Sequence, residues 1–241
     1  VENRVTDYNP AQYIKIHCVA VPNERRALTK EEQIRVINTP HRAQTAAMIM
    51  MFAGLRRGEL TVPTWNDVDL LEKTISITKS YDFKNSKVKT PKTKSGNRVV
   101  FIPDVLCEYL EQIPKNNILV FPSANGTRMT STAWKRLWES YMLEMDLQYG
   151  TPIKKQSKYA PVKRTLTIQP FSPHCLRHTY CTLLYESGVD VLVAKEQMGH
   201  ADVQTTLSIY THLSNEHQRK DIEKYNQMLS SINQEIINKQ A

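Results

Sequence analysis

Long apolar runs are missing from this chain. The best candidate, Ala46 to Leu55, is shorter than the roughly 18 residues a membrane helix needs and ends in Arg56-Arg57, so no membrane partner is expected. The first residues, Val1-Glu2-Asn3-Arg4, offer neither a signal peptide's apolar stretch nor an initiator Met. The chain therefore reads as a fragment of a longer protein. Cysteine is scarce, and Cys18, Cys107, Cys175 and Cys181 show no Cys-x-x-Cys spacing. Scattered in this way, they read as small buried apolar side chains in a reducing compartment, not as a disulfide framework. Internal repeats and low-complexity segments are also lacking. What remains is ordinary for a globular chain: 40% apolar and 23% charged residues, enough apolar surface to close a core and exclude wholesale disorder.

Lys and Arg number 32 against 24 Asp and Glu, a formal net charge of +8 over 241 residues. A basic excess points toward a polyanionic partner only when it is local. Here it is. Lys79, Lys84, Lys87, Lys89, Lys92, Lys94 and Arg98 face Asp82 alone, and Lys154, Lys155, Lys158, Lys163 and Arg164 run without an acid. After Ser214 the charges nearly balance. Such clustering is what a phosphate-contacting face requires.

Residues 1–26 carry no clear period and read as a linker or the tail of a preceding domain. Thr29-Lys30-Glu31-Glu32 forms a capping box that opens a first helix. A second helix is predicted from Ala43 to Ala53, stopped by Gly54, with a short turn of helix from Arg57. The period then changes. Thr74 to Thr78 and Arg98 to Ile102 alternate as strands, joined by a Lys-rich strand-turn-strand with Ser95-Gly96-Asn97 at one tip. A small antiparallel sheet follows from this. Helical patterns return at 104–112, 131–145, 173–187, 191–198, 203–210 and 216–237, with Gly188 and Gly199 placed as C-caps. The irregular stretch 147–170 is long enough to mark a functional or mobile loop. The expected fold class is mainly α with one small antiparallel β-sheet.

The chemistry concentrates in Phe171-Ser-Pro-His174-Cys-Leu-Arg177-His178-Thr-Tyr180. Pro173 suits a first helical turn and Ser172 an N-cap. His174 and Arg177, three apart, project from one face near a helix start that already favours an anion. The alternative of a surface His and a salt-bridged Arg stays open for the pair in isolation. His174 and His178 stand four apart, but the zinc-protease pattern needs Glu where Cys175 stands, and Arg177 between them repels a cation. No metal is expected. Downstream, His200 follows Gly199 at a helix end, and Tyr210 closes a short helix. Upstream, Arg56 follows Gly54-Leu55, where a guanidinium can be held rigidly toward a cleft.

Taken in order, Gly-Leu-Arg-x-x-Glu-Leu, a Lys-bearing hairpin, His-x-x-Arg-His-Thr, Met-Gly-His and a terminal Tyr before Thr-His-Leu resemble the catalytic domain of tyrosine recombinases. The likeness is to the integrases of phages and conjugative transposons in particular, and it runs from about Ala27 to about Leu213. It implies catalytic roles for Arg56, His174, Arg177 and His200, with Tyr210 as nucleophile. For the catalytic lysine, Lys94 in Thr93-Lys94-Ser95-Gly96 fits the family's hairpin tip better than Lys92; Arg57 reads as a neighbour. The domain layout becomes a catalytic domain at 27–213 and a C-terminal helical tail at 214–241. Met228, Leu229, Ile232, Ile236 and Ile237 form an apolar stripe on that tail, suited to docking on its own core or on a neighbour.

The resemblance implies DNA cleavage and rejoining through a 3′-phosphotyrosyl intermediate, with no cofactor. The partners it implies are double-stranded DNA at attachment sites, a tetramer on that DNA built from a chain that is monomeric alone, and an accessory DNA-bending factor or excisionase. The location it implies is the bacterial cytoplasm, on the nucleoid. A chromosome-dimer resolvase, a type IB topoisomerase-like strand transferase and a non-catalytic DNA-binding module are the competing readings. The full set from Arg56 to Tyr210 argues against the last.

Overall fold

Helix formation starts at the first cap the sequence offers. In this computed structural model, the described residues are 26–90, 96–151, 166–212 and 226, with backbone alone for 209–212. The Thr29 hydroxyl accepts from the Glu32 N–H, and the Glu32 carboxylate accepts from the Thr29 N–H. These bonds open α1 (Lys30–Asn38). Helix α2 (Gln44–Phe52) is buried without a break from Ala46 to Met51. A helix apolar all round belongs at the centre of a core, and α2 packs against α1, α4 (Asp104–Glu111) and α6 (Pro173–Glu186). The short α3 (Arg57–Leu60) follows Gly54, whose φ of 63° turns the chain sharply.

The sheet region has two parts. Strands β1 (Val68–Asp69), β2 (Thr74–Ile77) and β5 (Arg98–Phe101) form an antiparallel sheet in the order β1-β2-β5. Ile75 and Ile77 are buried as their alternation predicts, and Ile75 pairs with Val100. The Lys-rich stretch does not extend this sheet. Strands β3 (Ser80–Asp82) and β4 (Lys87–Lys89) pair only with each other. Their turn is tied by the Asp82 carboxylate, which accepts from the N–H groups of Lys84 and Asn85 and pairs with Lys89. The expected small antiparallel sheet is therefore present as β1-β2-β5, and the Lys-rich strand-turn-strand forms a separate two-stranded ribbon. The physical reason lies at Gly58: a Cβ there would stand 2.6 Å from the Tyr81 carbonyl oxygen. Strand β3 lies directly on the backbone of α3 instead of beside β2.

Helix α5 (Ser131–Tyr149) runs four residues beyond the predicted Met145. Its buried stripe is Trp134, Trp138, Tyr141, Met142 and Met145. The Trp138 indole donates to the Phe171 carbonyl, and the Tyr141 hydroxyl donates to that of Val36. One turn further, the buried Asp146 carboxylate oxygen Oδ1 accepts from the Thr167 N–H at 2.7 Å, its hydroxyl at 2.6 Å and the Ile168 N–H at 3.0 Å. Helix α5 therefore takes up residues 147–149 of the predicted irregular stretch, and Thr167 and Ile168 are fastened to it. Lys154, Lys155, Lys158, Lys163 and Arg164 lie outside the described residues.

Helix α6 begins at Pro173 with Ser172 in N-cap conformation. The Ser172 hydroxyl makes no capping bond; it lies 3.4 Å from Cys175 Sγ. Asp190 caps α7 (Val191–Met198), which ends at Gly199, and α8 (Gln204–His212) packs on α6 and α7. Cys107, Cys175 and Cys181 are buried, as small apolar side chains would be; Cys18 lies outside the described residues. The expected tail helix at 216–237, Asn226 excepted, also lies outside them. Among the described residues no helix is long and apolar enough to cross a membrane.

Candidate active site

The site is built where three helix ends meet. The turn at Gly54 delivers Arg56 to the head of α3, where its N–H donates to Glu59 Oε2 at 2.9 Å. The Arg56 guanidinium donates to Glu59 Oε1 at 2.8 Å and to the Gly199 carbonyl at 2.9 Å. It remains 40% exposed. Arg98, four residues past Lys94 on β5, grips the same carboxylate from the other side, with Nη2 2.9 Å from Glu59 Oε2. Its Nε donates to the Gln197 carbonyl. The Arg98 and Glu59 side chains are 6% and 7% exposed. Burial alone would raise the Glu59 pKa, but the hydrogen bonds and charge of Arg98, joined by Arg56, hold it down at about 2.

Arg177 reaches in from α6 and donates to the carbonyls of Gly54 and Met198. Burial first, then the charge of Arg56, lowers its pKa to about 9, which leaves it cationic at neutral pH. Gly199 adopts φ 62° and closes α7, and the His200 N–H returns to the Lys195 carbonyl. A methyl at position 199 would stand 2.6 Å from Arg98 Nη1, so the glycine also makes room for that guanidinium. His200 is buried, with Nδ1 2.9 Å from the Thr206 hydroxyl. Burial, then the charges of Arg177, Arg56 and Arg98, lowers its pKa to about 4. At neutral pH it is a neutral imidazole, able to serve as a hydrogen-bond group.

Beside this cluster lies an open trough of about 1010 Å³. Arg56, Arg57, Lys84, Lys135 and His174 line it, over an apolar floor that includes Phe83 and Trp134. The Arg57 guanidinium stacks 4.1 Å from the centre of the Phe83 ring. His174 is exposed on this trough, whereas Arg177, one turn on, is buried beneath it. The expected pair thus divides between surface and interior.

The structure brings Arg56, Arg177 and His200 into one cluster and sets His174 on the trough that Arg56 also lines. Lys94, with its alternative Lys92, lies outside the described residues. The backbone of Tyr210 belongs to α8, and its side chain lies outside the described atoms. Sequence reasoning missed Glu59, Arg98 and Thr206 as organisers of the cluster. The only local signal was Glu59 standing three residues after Arg56 at a helix start. Among the described residues no group of three or more His, Cys, Asp or Glu side chains could hold a metal ion.

The sequence profile of the phage integrase family matches residues 24–217. Transposase A from transposon Tn554 of Staphylococcus aureus is 28% identical over 211 residues, covering 83% of this chain and 52% of the relative. The ICEBs1 integrase of Bacillus subtilis is 26% identical over 201 residues, covering 77% of this chain and 49% of the relative. The chain therefore spans about half the length of these curated relatives. In fold it is similar to the Tn1549 transposon integrase, solved in complex with circular intermediate DNA, with a TM-score of 0.63 and 21% identity over 83% of this chain and 67% of that one. With the profile covering most of its length and the fold that of a tyrosine recombinase catalytic domain, the chain belongs to the phage integrase family.

Proposed function

We propose that this chain is the catalytic part of a site-specific recombinase that integrates or excises a mobile element, cutting and rejoining DNA through a 3′-phosphotyrosyl intermediate. The observation that carries this reading is the charge gathered at the Gly199–His200 corner. Three guanidinium groups, those of Arg56, Arg98 and Arg177, surround His200 together with the carboxylate of Glu59, and the helix bearing Tyr210 begins four residues later. A cluster with cations in excess, partly withdrawn from water, is matched to a phosphoryl group gaining negative charge.

Tyr210 attacks the scissile phosphorus, forms the 3′-phosphotyrosyl bond and expels the 5′-oxygen. The bond energy stays in the covalent link, so rejoining needs no other energy source, and one hard step becomes two easier ones. Arg56 and Arg177 hold the non-bridging oxygens through paired N–H bonds. Neutral His200 donates a further bond. Lys94 protonates the leaving 5′-oxygen, and His174 assists removal of the tyrosine proton or holds a phosphate oxygen. Double-stranded DNA runs along the trough, held by Arg57, Lys84 and Lys135. Strand exchange takes place in a tetramer on DNA, with the 214–241 tail docked on a neighbouring subunit and an accessory bending factor or excisionase setting direction. The setting is the bacterial cytoplasm, on the nucleoid.

The test is incubation with a nicked attachment-site duplex, read on a denaturing gel for the covalent adduct and in a strand-exchange assay. Wild type forms the adduct and exchanges strands. Tyr210→Phe binds DNA but forms no adduct. An adduct formed by Tyr210→Phe refutes the nucleophile, and cleavage without exchange refutes recombination in favour of a topoisomerase-like transfer.

A further inference from the structure

The hydroxyl of Thr206 is the feature of the cluster that the proposed reaction leaves unused. Thr206 is fully buried in α8. Among the described residues, the hydrogen-bond partner of its hydroxyl is His200 Nδ1, at 2.9 Å. Its backbone N–H is already spent on the Val203 carbonyl. The pair has two possible arrangements. If Nδ1 carried the imidazole proton, the hydroxyl would accept, and its own buried proton would have no described acceptor. A buried donor left unmade costs free energy that a made bond does not. If Nδ1 is bare, the hydroxyl donates to it, and both atoms of this buried contact are satisfied. The second arrangement forces the imidazole proton onto Nε2, because a neutral ring carries one N–H.

We propose that Thr206 is a positioning residue: it donates to His200 Nδ1, fixes the ring as the Nε2–H donor, and ties that donor to the helix carrying Tyr210. The proposal rests on the reading of this site as a phosphoryl-transfer centre. Its consequence follows from the register of α8. Thr206 lies one turn before Tyr210 on the same helix, and His200 lies on the corner between α7 and α8. The ring is therefore a correctly protonated donor only while α8 is seated on that corner. Seating the nucleophile's helix and preparing the transition-state donor become a single event. An undocked α8 would leave His200 free to adopt either tautomer.

Three versions of the protein separate this from simple packing: wild type, Thr206→Val, which keeps the shape and loses the hydroxyl, and Thr206→Ser, which keeps the hydroxyl. Single-turnover adduct formation on the nicked duplex gives the rate constant, and DNA affinity is measured alongside. Thr206→Val is expected to cleave about 10- to 100-fold more slowly, the range seen when the hydrogen-bond partner that fixes the tautomer of a metal-bound histidine is removed, with DNA affinity unchanged. Thr206→Ser is expected to recover most of the rate. Where valine disturbs folding, Thr206→Ala carries the same comparison against Thr206→Ser. A Thr206→Val rate equal to wild type overturns the proposal, as does a Thr206→Ser rate as low as that of valine, since the methyl would then be what matters. A second readout needs no DNA: two-dimensional 15N–1H spectra of histidine-labelled protein distinguish the two ring tautomers. Nε2–H is expected for His200 in wild type and a mixture in Thr206→Val, whereas Nδ1–H in wild type overturns the assignment. Wild type that never cleaves DNA would sink the recombinase reading while the spectra still decide the role of Thr206.

Discussion

Glutamine in place of Glu59 removes the one negative charge on which the arginine cluster is assembled. Two routes give the magnitude. The Glu59 carboxyl falls from an ordinary 4.5 to about 2, and a change of one in pKa corresponds to about 1.4 kcal/mol, so the folded state favours the carboxylate by roughly 3 kcal/mol. Independently, removing one partner of a buried ion pair costs about 3–5 kcal/mol, because the other charge stays buried without compensation. The Glu59–Arg98 pair is that case, whereas half-exposed Arg56 contributes less. A loss of about 3 kcal/mol lowers Tm by roughly 6–12 °C in a domain of this size. The pH dependence has a definite sign. A carboxyl depressed on folding contributes its full stability above the unfolded value near 4.5 and loses it as pH falls toward about 2. Urea unfolding of wild type and Glu59→Gln at intervals from pH 7 down to pH 3 should therefore show a gap of about 3 kcal/mol that narrows below about 4.5. A gap under about 1 kcal/mol at pH 7, the range of an exposed pair, or a gap constant across the series, would refute the claim that Glu59 is the electrostatic keystone.

Two further substitutions probe the same framework. Gly199→Ala places a side chain at φ 62° and 2.6 Å from Arg98 Nη1; it should cost about 1–2 kcal/mol for the left-handed backbone alone, seen as a lower urea midpoint, and should slow adduct formation by displacing the Arg98 head. Asp146→Ala strips the acceptor from the Thr167 N–H, the Thr167 hydroxyl and the Ile168 N–H; it should lower stability by more than about 2 kcal/mol, and Asp146→Asn, which keeps an oxygen there, should recover most of the loss by the same measurement.

Local chemistry announced itself in the sequence, and contacts between distant residues did not. The Thr29 box, the strand alternation at Ile75 and Ile77 and the stop at Gly199 each depend on neighbours within a few residues, and each stands where the pattern placed it. Arg56, Arg177 and His200 were legible as a set because their motifs come in a recognisable order. The partner that holds Arg98 is 39 residues away, and nothing near Arg98 distinguishes it from the lysines before it. The split into two sheets turns on Gly58 meeting Tyr81, a contact that alternation cannot register because β3 and β4 alternate like any other strands. The extra turn of α5 likewise depends on Asp146 finding Thr167 across 21 residues; alone, an acid four residues before Gly150 reads as a helix end.

The bonds of Arg177 bear on how any mutant of this site is to be interpreted. Its guanidinium is a brace between the end of α2 and the end of α7, held by the carbonyls of Gly54 and Met198. Substituting it deletes a cation and unties two segments at once, so an inactive Arg177 variant confounds catalysis with architecture. Arg56, with much of its head open to the trough, separates the two more cleanly. A genetic screen for loss of recombination would score both positions alike, and only a folding measurement run beside it would show that they fail for different reasons.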